Sequence, residues 1–193
     1  MNWIKPPSPV SPGLVIGLLG GSFNPAHEGH YHVSLIAMKR LGLDYVWWLV
    51  SPGNPLKHAP APLEKRLAAA RGHARHPRIL VSDIERQMGT RYTIDTVRAL
   101  KRRFPQVKFV WLMGSDNLES FHLWRNWREI ARALPLVVVQ RPGSIMALAH
   151  AAPRRYFSHR LKKPPVLLVL DGARSSESAT RLRALGPRAK FTA

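Results

Sequence analysis

The sequence predicts an α/β protein, a Rossmann-like parallel sheet with helices on both faces. Three observations lead there. Short apolar runs alternate with stretches of helical periodicity along most of the chain. The run at 136–139 is almost purely apolar, as a central parallel strand buried on both faces must be. Segments rich in glycine, proline and polar residues follow the ends of these runs, where open α/β sheets bind ligands.

Composition bounds the rest. A chain of 193 residues with 45% hydrophobic content suits one well-buried domain and is short for two. The expected organisation is a flexible Pro-rich leader over 1–13 and a single domain over 14–193. Cysteine is absent, so there is no disulfide framework. The leader holds Lys5, Pro6, Pro7, Pro9 and Pro12, and the apolar run behind it is too short for a signal peptide or a membrane span. A soluble, cytoplasmic protein is the expectation, with no membrane partner. The 30 Lys and Arg against 11 Asp and Glu give a formal charge of +19, which favours polyanions. A basic nucleic-acid-binding protein is therefore the alternative class. The charges are dispersed, however, over 98, 101–103, 154–155, 160–163 and 181–190, with no aromatic-interleaved RNA-binding signature. No specific nucleic acid is expected. Steering of small phosphorylated substrates explains part of the excess, and the sequence offers no account of the remainder.

The first strand, within 14–19, opens onto Gly20, Gly21, Ser22, Phe23, Asn24, Pro25, Ala26, His27, Glu28, Gly29 and His30. The two glycines are expected to let the backbone turn tightly and admit another molecule to its N–H groups. Val33, Ile36, Ala37 and Leu41 then recur at helical spacing, which sets His27 and His30 at the N-terminal edge of a helix. Amide dipoles there favour anions, and two imidazoles can donate hydrogen bonds to phosphate oxygens. A Walker loop needs a Gly-Lys-Ser/Thr ending and a dinucleotide fingerprint needs G-x-G-x-x-G; neither is present. The zinc-protease motif spaces its histidines at i and i+4, whereas these stand at i and i+3.

A strand of aromatic and β-branched residues follows at 45–50, and its loop carries Lys57 and His58 to the same rim as His27. Taken alone, Lys57 is equally a solvated loop lysine. A helix is predicted over 63–75, with Pro62 before it and Pro77 after it. A short strand at 79–81 leads into a polar run, where Thr93 suits the N-cap of a helix reaching Arg103. The strand at 108–113 runs into Gly114, Ser115 and Asp116. That glycine permits close approach, and the carboxylate either accepts from ribose hydroxyls or caps a helix. Trp124, read by itself, packs in a core. After 136–139, Arg141 stands in an Arg-Pro-Gly turn, where a guanidinium suits a phosphate. Between 145 and 165 a short helix and the basic stretch 154–163 are expected at the surface. The last strand is 166–170. Ser178 and Thr180 then cap a helix start whose N–H groups suit phosphates, and Arg183 could lean back onto them.

Residues 20–30 closely resemble the G-G-x-F-x-P-x-H-x-G-H signature of the nucleotidyltransferase superfamily, and 178–183 resemble its second signature, S-S/T-T-x-I/L-R. Further matches are similar to bacterial nicotinate-mononucleotide adenylyltransferases. They are Lys57 ending a proline-rich loop, the E-x-x-x-x-x-x-Y-T-x-x-T segment from Glu85 to Thr96, the G-x-D at Gly114 and Asp116, Trp124 eight residues on, and the turn at Arg141. Ala179 departs from the usual second serine, and Glu177 stands where an apolar residue is common. The resemblance implies adenylyl transfer from ATP to nicotinate mononucleotide, giving nicotinate adenine dinucleotide and pyrophosphate in NAD biosynthesis. An enzyme acting on nicotinamide mononucleotide or another phosphorylated acceptor is the nearer alternative. His27, His30 and Arg183 take the catalytic roles. ATP is expected against Gly20, Gly21, Ser22, Phe23, His27, His30, Gly114 and Asp116, with its outer phosphates at Ser178, Thr180 and Arg183. Nicotinate mononucleotide is expected against Ser22, Phe23, Lys57, Thr93, Trp124 and Arg141. Mg²⁺ is implied as a companion of ATP, held mainly by phosphates and water.

Overall fold

The computed structural model describes residues 4–53, 61–140, 156–157 and 165–172. Six strands form one sheet: β1 (Val15–Gly21), β2 (Tyr45–Val50), β3 (Ile79–Ser82), β4 (Lys108–Gly114), β5 (Leu136–Gln140) and β6 (Leu167–Asp171). Every neighbouring pair is parallel, and the order is β3-β2-β1-β4-β5-β6. That is the predicted Rossmann-like arrangement, with the direction of winding reversing between β1 and β4.

Alternation along each strand divides the core in two. Trp47 points to one face and Trp48 to the other, both fully buried. Helices α1 (Glu28–Leu41) and α2 (Leu63–His73) cover the Trp48 face. The Trp47 face is covered by α3 (Ile84–Met88), α4 (Thr93–Arg103), α5 (Ser115–Ser120) and α6 (Trp127–Ala133). A 3₁₀ turn, Phe121–Leu123, joins the last two. Helix α1 ends at Gly42, whose φ of 63° is the left-handed cap that glycine adopts without a Cβ penalty.

Residues 4–13, read from the sequence as a leader, lie along the Trp47 face. The Trp47 indole donates to Ser8 Oγ at 2.9 Å, Lys5 N donates to Gln87 Oε1 at 3.0 Å, and Gly13 N donates to Gln106 O at 3.0 Å. Ile4 and Val10 pack against the same core.

Two expectations are corrected by the fold. Gly20 and Gly21 do not make the turn: they are the last residues of β1, paired with Leu49 and Val50 of β2. A Cβ on Gly20 would meet Trp111 Cη2 at 2.7 Å, so the missing side chain makes room for a tryptophan on the next strand. Thr93 is the first residue of α4 rather than its N-cap. Tyr92 holds the cap position, with extended φ and ψ and no side-chain cap hydrogen bond.

Candidate active site

Strands β1 and β4 run side by side from Val15 and Lys108, and, being equally long, finish together at Gly21 and Gly114. Between their ends lies the switch point, where an open α/β sheet has its ligand crevice. On the β1 side stands the turn 22–27. Phe23 adopts φ 47° in this turn, and the Asn24–Pro25 peptide is cis. A non-glycine residue in that left-handed region costs about 1 kcal/mol or more and persists only where its surroundings hold it. They do so here. The Phe23 ring is 1% exposed, stacks on Trp48 at 5.2 Å and meets His30 at 4.6 Å. With the ring buried, contact between Phe23 and a ligand falls to its backbone.

The two histidines are built into the helix they begin. His27 is the N-cap of α1, and its Nδ1 accepts from Gly29 N at 3.1 Å. His30 reaches back so that its Nδ1 accepts from His27 N at 3.3 Å, and the rings lie 4.0 Å apart. This is a capping box made with imidazoles in place of the usual hydroxyl and carboxylate. A neutral ring that accepts at Nδ1 carries its proton on Nε2. Both rings are thereby fixed as Nε2–H donors. Trp48 supports the arrangement from below: its indole donates to Ser34 Oγ at 2.7 Å, and Ser34 Oγ donates to the His30 carbonyl at 2.9 Å.

Helix α4 starts at Thr93, and its N-cap Tyr92 makes no side-chain cap hydrogen bond. Behind it lies a buried polar chain. Thr96 Oγ1 donates to Glu85 Oε1 at 3.0 Å, and the Thr90 and Thr96 hydroxyls lie 2.9 Å apart. Burial pushes the Glu85 carboxyl up to about 7, and the Thr96 hydrogen bond only partly opposes it. Asp116 stands exposed in the first turn of α5, directly after the end of β4. Trp124 is half-buried, edge-to-face with Phe121 at 5.3 Å and with Trp111 at 6.1 Å. It therefore combines the packing role read from sequence with a part left open to solvent. Trp127 instead packs on Tyr156 at 5.1 Å.

Ser22 follows the end of β1 and His27 and His30 open α1, while Gly114 is the last residue of β4 and Asp116 stands in the first turn of α5. Thr93 and Trp124 belong to the elements on the Trp47 face. Lys57, His58, Arg141, Ser178, Thr180 and Arg183 lie outside the described residues, as do Glu177, Ala179 and, apart from 156–157, the basic stretch 154–163. Among the described residues, no group of three or more His, Asp or Glu side chains is gathered as a metal cage, and no helix is long and apolar enough to cross a membrane.

Two features escaped the sequence reading, the carbonyl contacts of Arg66 and the burial of Glu85. Arg66, only 2% exposed, spends its guanidinium on backbone carbonyls of the rim loops. Its signal was available: Leu63, Arg66, Leu67 and Ala70 share one helical stripe, and an arginine on an apolar stripe needs partners. Glu85 was matched as the head of the segment ending at Thr96, but its burial had no signal, because five-residue α3 is too short to show a period.

The family model for cytidylyltransferase-like proteins matches residues 18–185, a span that includes the second signature. A Ruegeria pomeroyi protein named probable nicotinate-nucleotide adenylyltransferase is 49% identical over 187 residues, covering 91% of this chain and 88% of its own. A Parvibaculum lavamentivorans protein of the same name is 50% identical over 190 residues, with 92% and 94% covered. Among solved structures, Plasmodium falciparum nicotinic acid mononucleotide adenylyltransferase complexed with NaAD is similar in fold. Its TM-score is 0.65 over 85% of this chain and 78% of that one, at 18% identity.

Proposed function

The chain belongs to the cytidylyltransferase-like family, among its nicotinate-nucleotide adenylyltransferases, and from that premise we propose that it transfers the adenylyl group of ATP to nicotinate mononucleotide. The products are nicotinate adenine dinucleotide and pyrophosphate, and the step belongs to NAD biosynthesis, in the cytoplasm. The observation that carries the reading is the 49% identity with a relative of that name over 91% of the chain. The imidazole pair at the switch point supplies the chemistry such a reaction needs.

A 5′-phosphate oxygen of the mononucleotide attacks the α-phosphorus of ATP. The bond from that phosphorus to the bridging oxygen breaks, and pyrophosphate leaves with the electron pair. The attacking phosphate is already anionic at neutral pH, so no side chain must remove a proton. Catalysis is positioning plus stabilisation of charge. His27 and His30 donate from Nε2 toward the α-phosphate oxygens. Ser178, Thr180 and Arg183 hold the departing pyrophosphate. Gly20, Gly21, Ser22 and the Phe23 backbone line the phosphate side, while Gly114 and Asp116 receive the adenosine. Lys57 and Arg141 attend the mononucleotide phosphate, and Thr93 and Trp124 the pyridine. Mg²⁺ arriving on ATP would neutralise phosphate charge; hard, hydrated and octahedral, it suits phosphate and water oxygens better than the histidine nitrogens here.

The test is pyrophosphate release with Mg-ATP, nicotinate mononucleotide and nicotinamide mononucleotide being compared side by side. Release with the acid at least about tenfold faster than with the amide is expected, the scale of one well-placed polar contact. Equal rates would keep the reaction and reject the pyridine selectivity. No release with either would reject the function.

A further inference from the structure

Arg66 is buried in α2, and its side chain leaves the helix to meet backbone of three other places. Nη1 donates to Ser22 O and to Ser51 O, both at 2.7 Å. Nε donates to Ala61 O at 2.7 Å, and Nη2 to Pro52 O at 3.2 Å. Four of the five guanidinium donors are thus used on carbonyls that no strand ladder serves. Ser22 opens the turn that delivers His27. Ser51 and Pro52 are one stem of the segment that carries Lys57, and Ala61 is the other. One side chain therefore ties the phosphate turn to both stems of the neighbouring rim loop.

Its buried charge adds to the case. Among the described residues no carboxylate pairs with it; Glu64, two residues earlier, pairs instead with Arg86 at 2.7 Å. Burying a cation without an anion is costly unless its hydrogen bonds are met. A lysine could satisfy only part of this set, because one nitrogen cannot face four oxygens spread across a planar fork.

We propose that Arg66 is a positioning residue for the transfer reaction, a clasp that fixes the 22–27 turn, the 51–52 segment after β2 and Ala61 before α2 relative to one another. The catalytic consequence rests on the function assigned above; the mechanical one does not. The position of the histidine pair is set by the turn, and the turn is set by Arg66.

The test uses Arg66→Lys, which keeps the charge, and Arg66→Gln, which removes it. Hydrogen exchange without substrates would be followed in peptides covering 20–27 and 48–53, with 108–114 and 136–140 as internal references. Exchange in both rim segments should quicken together by about tenfold or more in Arg66→Lys, with the reference strands unchanged. Its kcat should fall by about tenfold or more while KM for ATP changes by less than about threefold, as expected when reacting groups are misplaced. Arg66→Gln should show the same pattern, at least as strongly. Unchanged exchange in either segment, or kcat within about threefold of wild type, would overturn the proposal. So would global unfolding of Arg66→Lys, because the residue would then hold up the whole fold rather than two loops. Absence of turnover in the wild type would count against the assigned reaction alone, and the exchange result would still decide the clasp.

Discussion

Two helix starts face the rim of this sheet, and they are finished differently. At α1, His27 and His30 turn their own Nδ1 atoms onto the first-turn backbone, so the helix end is closed by side chains of the chain itself. At α4, Tyr92 holds the cap position and makes no side-chain cap hydrogen bond. An anion arriving at α1 meets imidazole Nε2–H groups, whereas at α4 no cap side chain takes up the first-turn N–H groups. Under the proposed function the difference fits two tasks. Charge that develops during phosphoryl transfer calls for donors locked before the reaction, while a substrate carboxylate that does not react needs only to be held.

The largest expected effect breaks the α1 side. His30→Ala should lower kcat by about 10²-fold or more, the scale of losing one donor to developing charge, as read by pyrophosphate release. His27→Asn sharpens the point, because asparagine is a good N-cap but lacks the ring Nε2–H. Its melting temperature should stay within about 2 °C of wild type while turnover falls at least about tenfold. A large stability loss with full activity would reverse the roles assigned to the cap and the donor.

Behind α4 the expected effect is on stability. Glu85, pushed up to about 7, binds its proton more tightly folded than unfolded. Stability should therefore fall as pH rises from about 4.5 to about 7, and level off above that. Glu85→Gln should flatten this slope and stabilise the protein at pH 8 by up to about 3 kcal/mol, measured by urea unfolding at several pH values. At pH 4 the variant and the wild type should be alike.

Gly20→Ala should cost about 1–3 kcal/mol through collision with the buried Trp111 ring. The smallest effect is expected at the open start. Thr93→Ala leaves the α4 backbone in place, so KM for nicotinate mononucleotide should rise less than about tenfold, with kcat near wild type.

Much of this architecture was legible in the sequence. Tyr45–Val50 was read to the residue because an unbroken aromatic and β-branched run has no helical interpretation there. His27 and His30 were placed at a helix start by the spacing of Val33, Ala37 and Leu41. What escaped was decided by contacts distant in sequence. Gly20 looked like a turn residue until Trp111, on a strand some ninety residues later, showed why it lacks a side chain. The Nδ1 capping of His27 and His30 left no trace in composition, since imidazoles are rarely used for that purpose. Arg66 stands on the apolar stripe of α2, which marks it as needing partners, but that those partners are carbonyls at 22, 51, 52 and 61 is decided by the fold.

The most direct test of this account is the protonation pattern of the two rings, read from long-range ¹H–¹⁵N spectra of ring-labelled protein near pH 7.5. Both His27 and His30 should show an unprotonated Nδ1 and a protonated Nε2, and His27 should keep that pattern in His30→Ala. An Nδ1–H tautomer, or an imidazolium at that pH, in either ring would contradict it, because the helix cap and the phosphate donor could not then coexist.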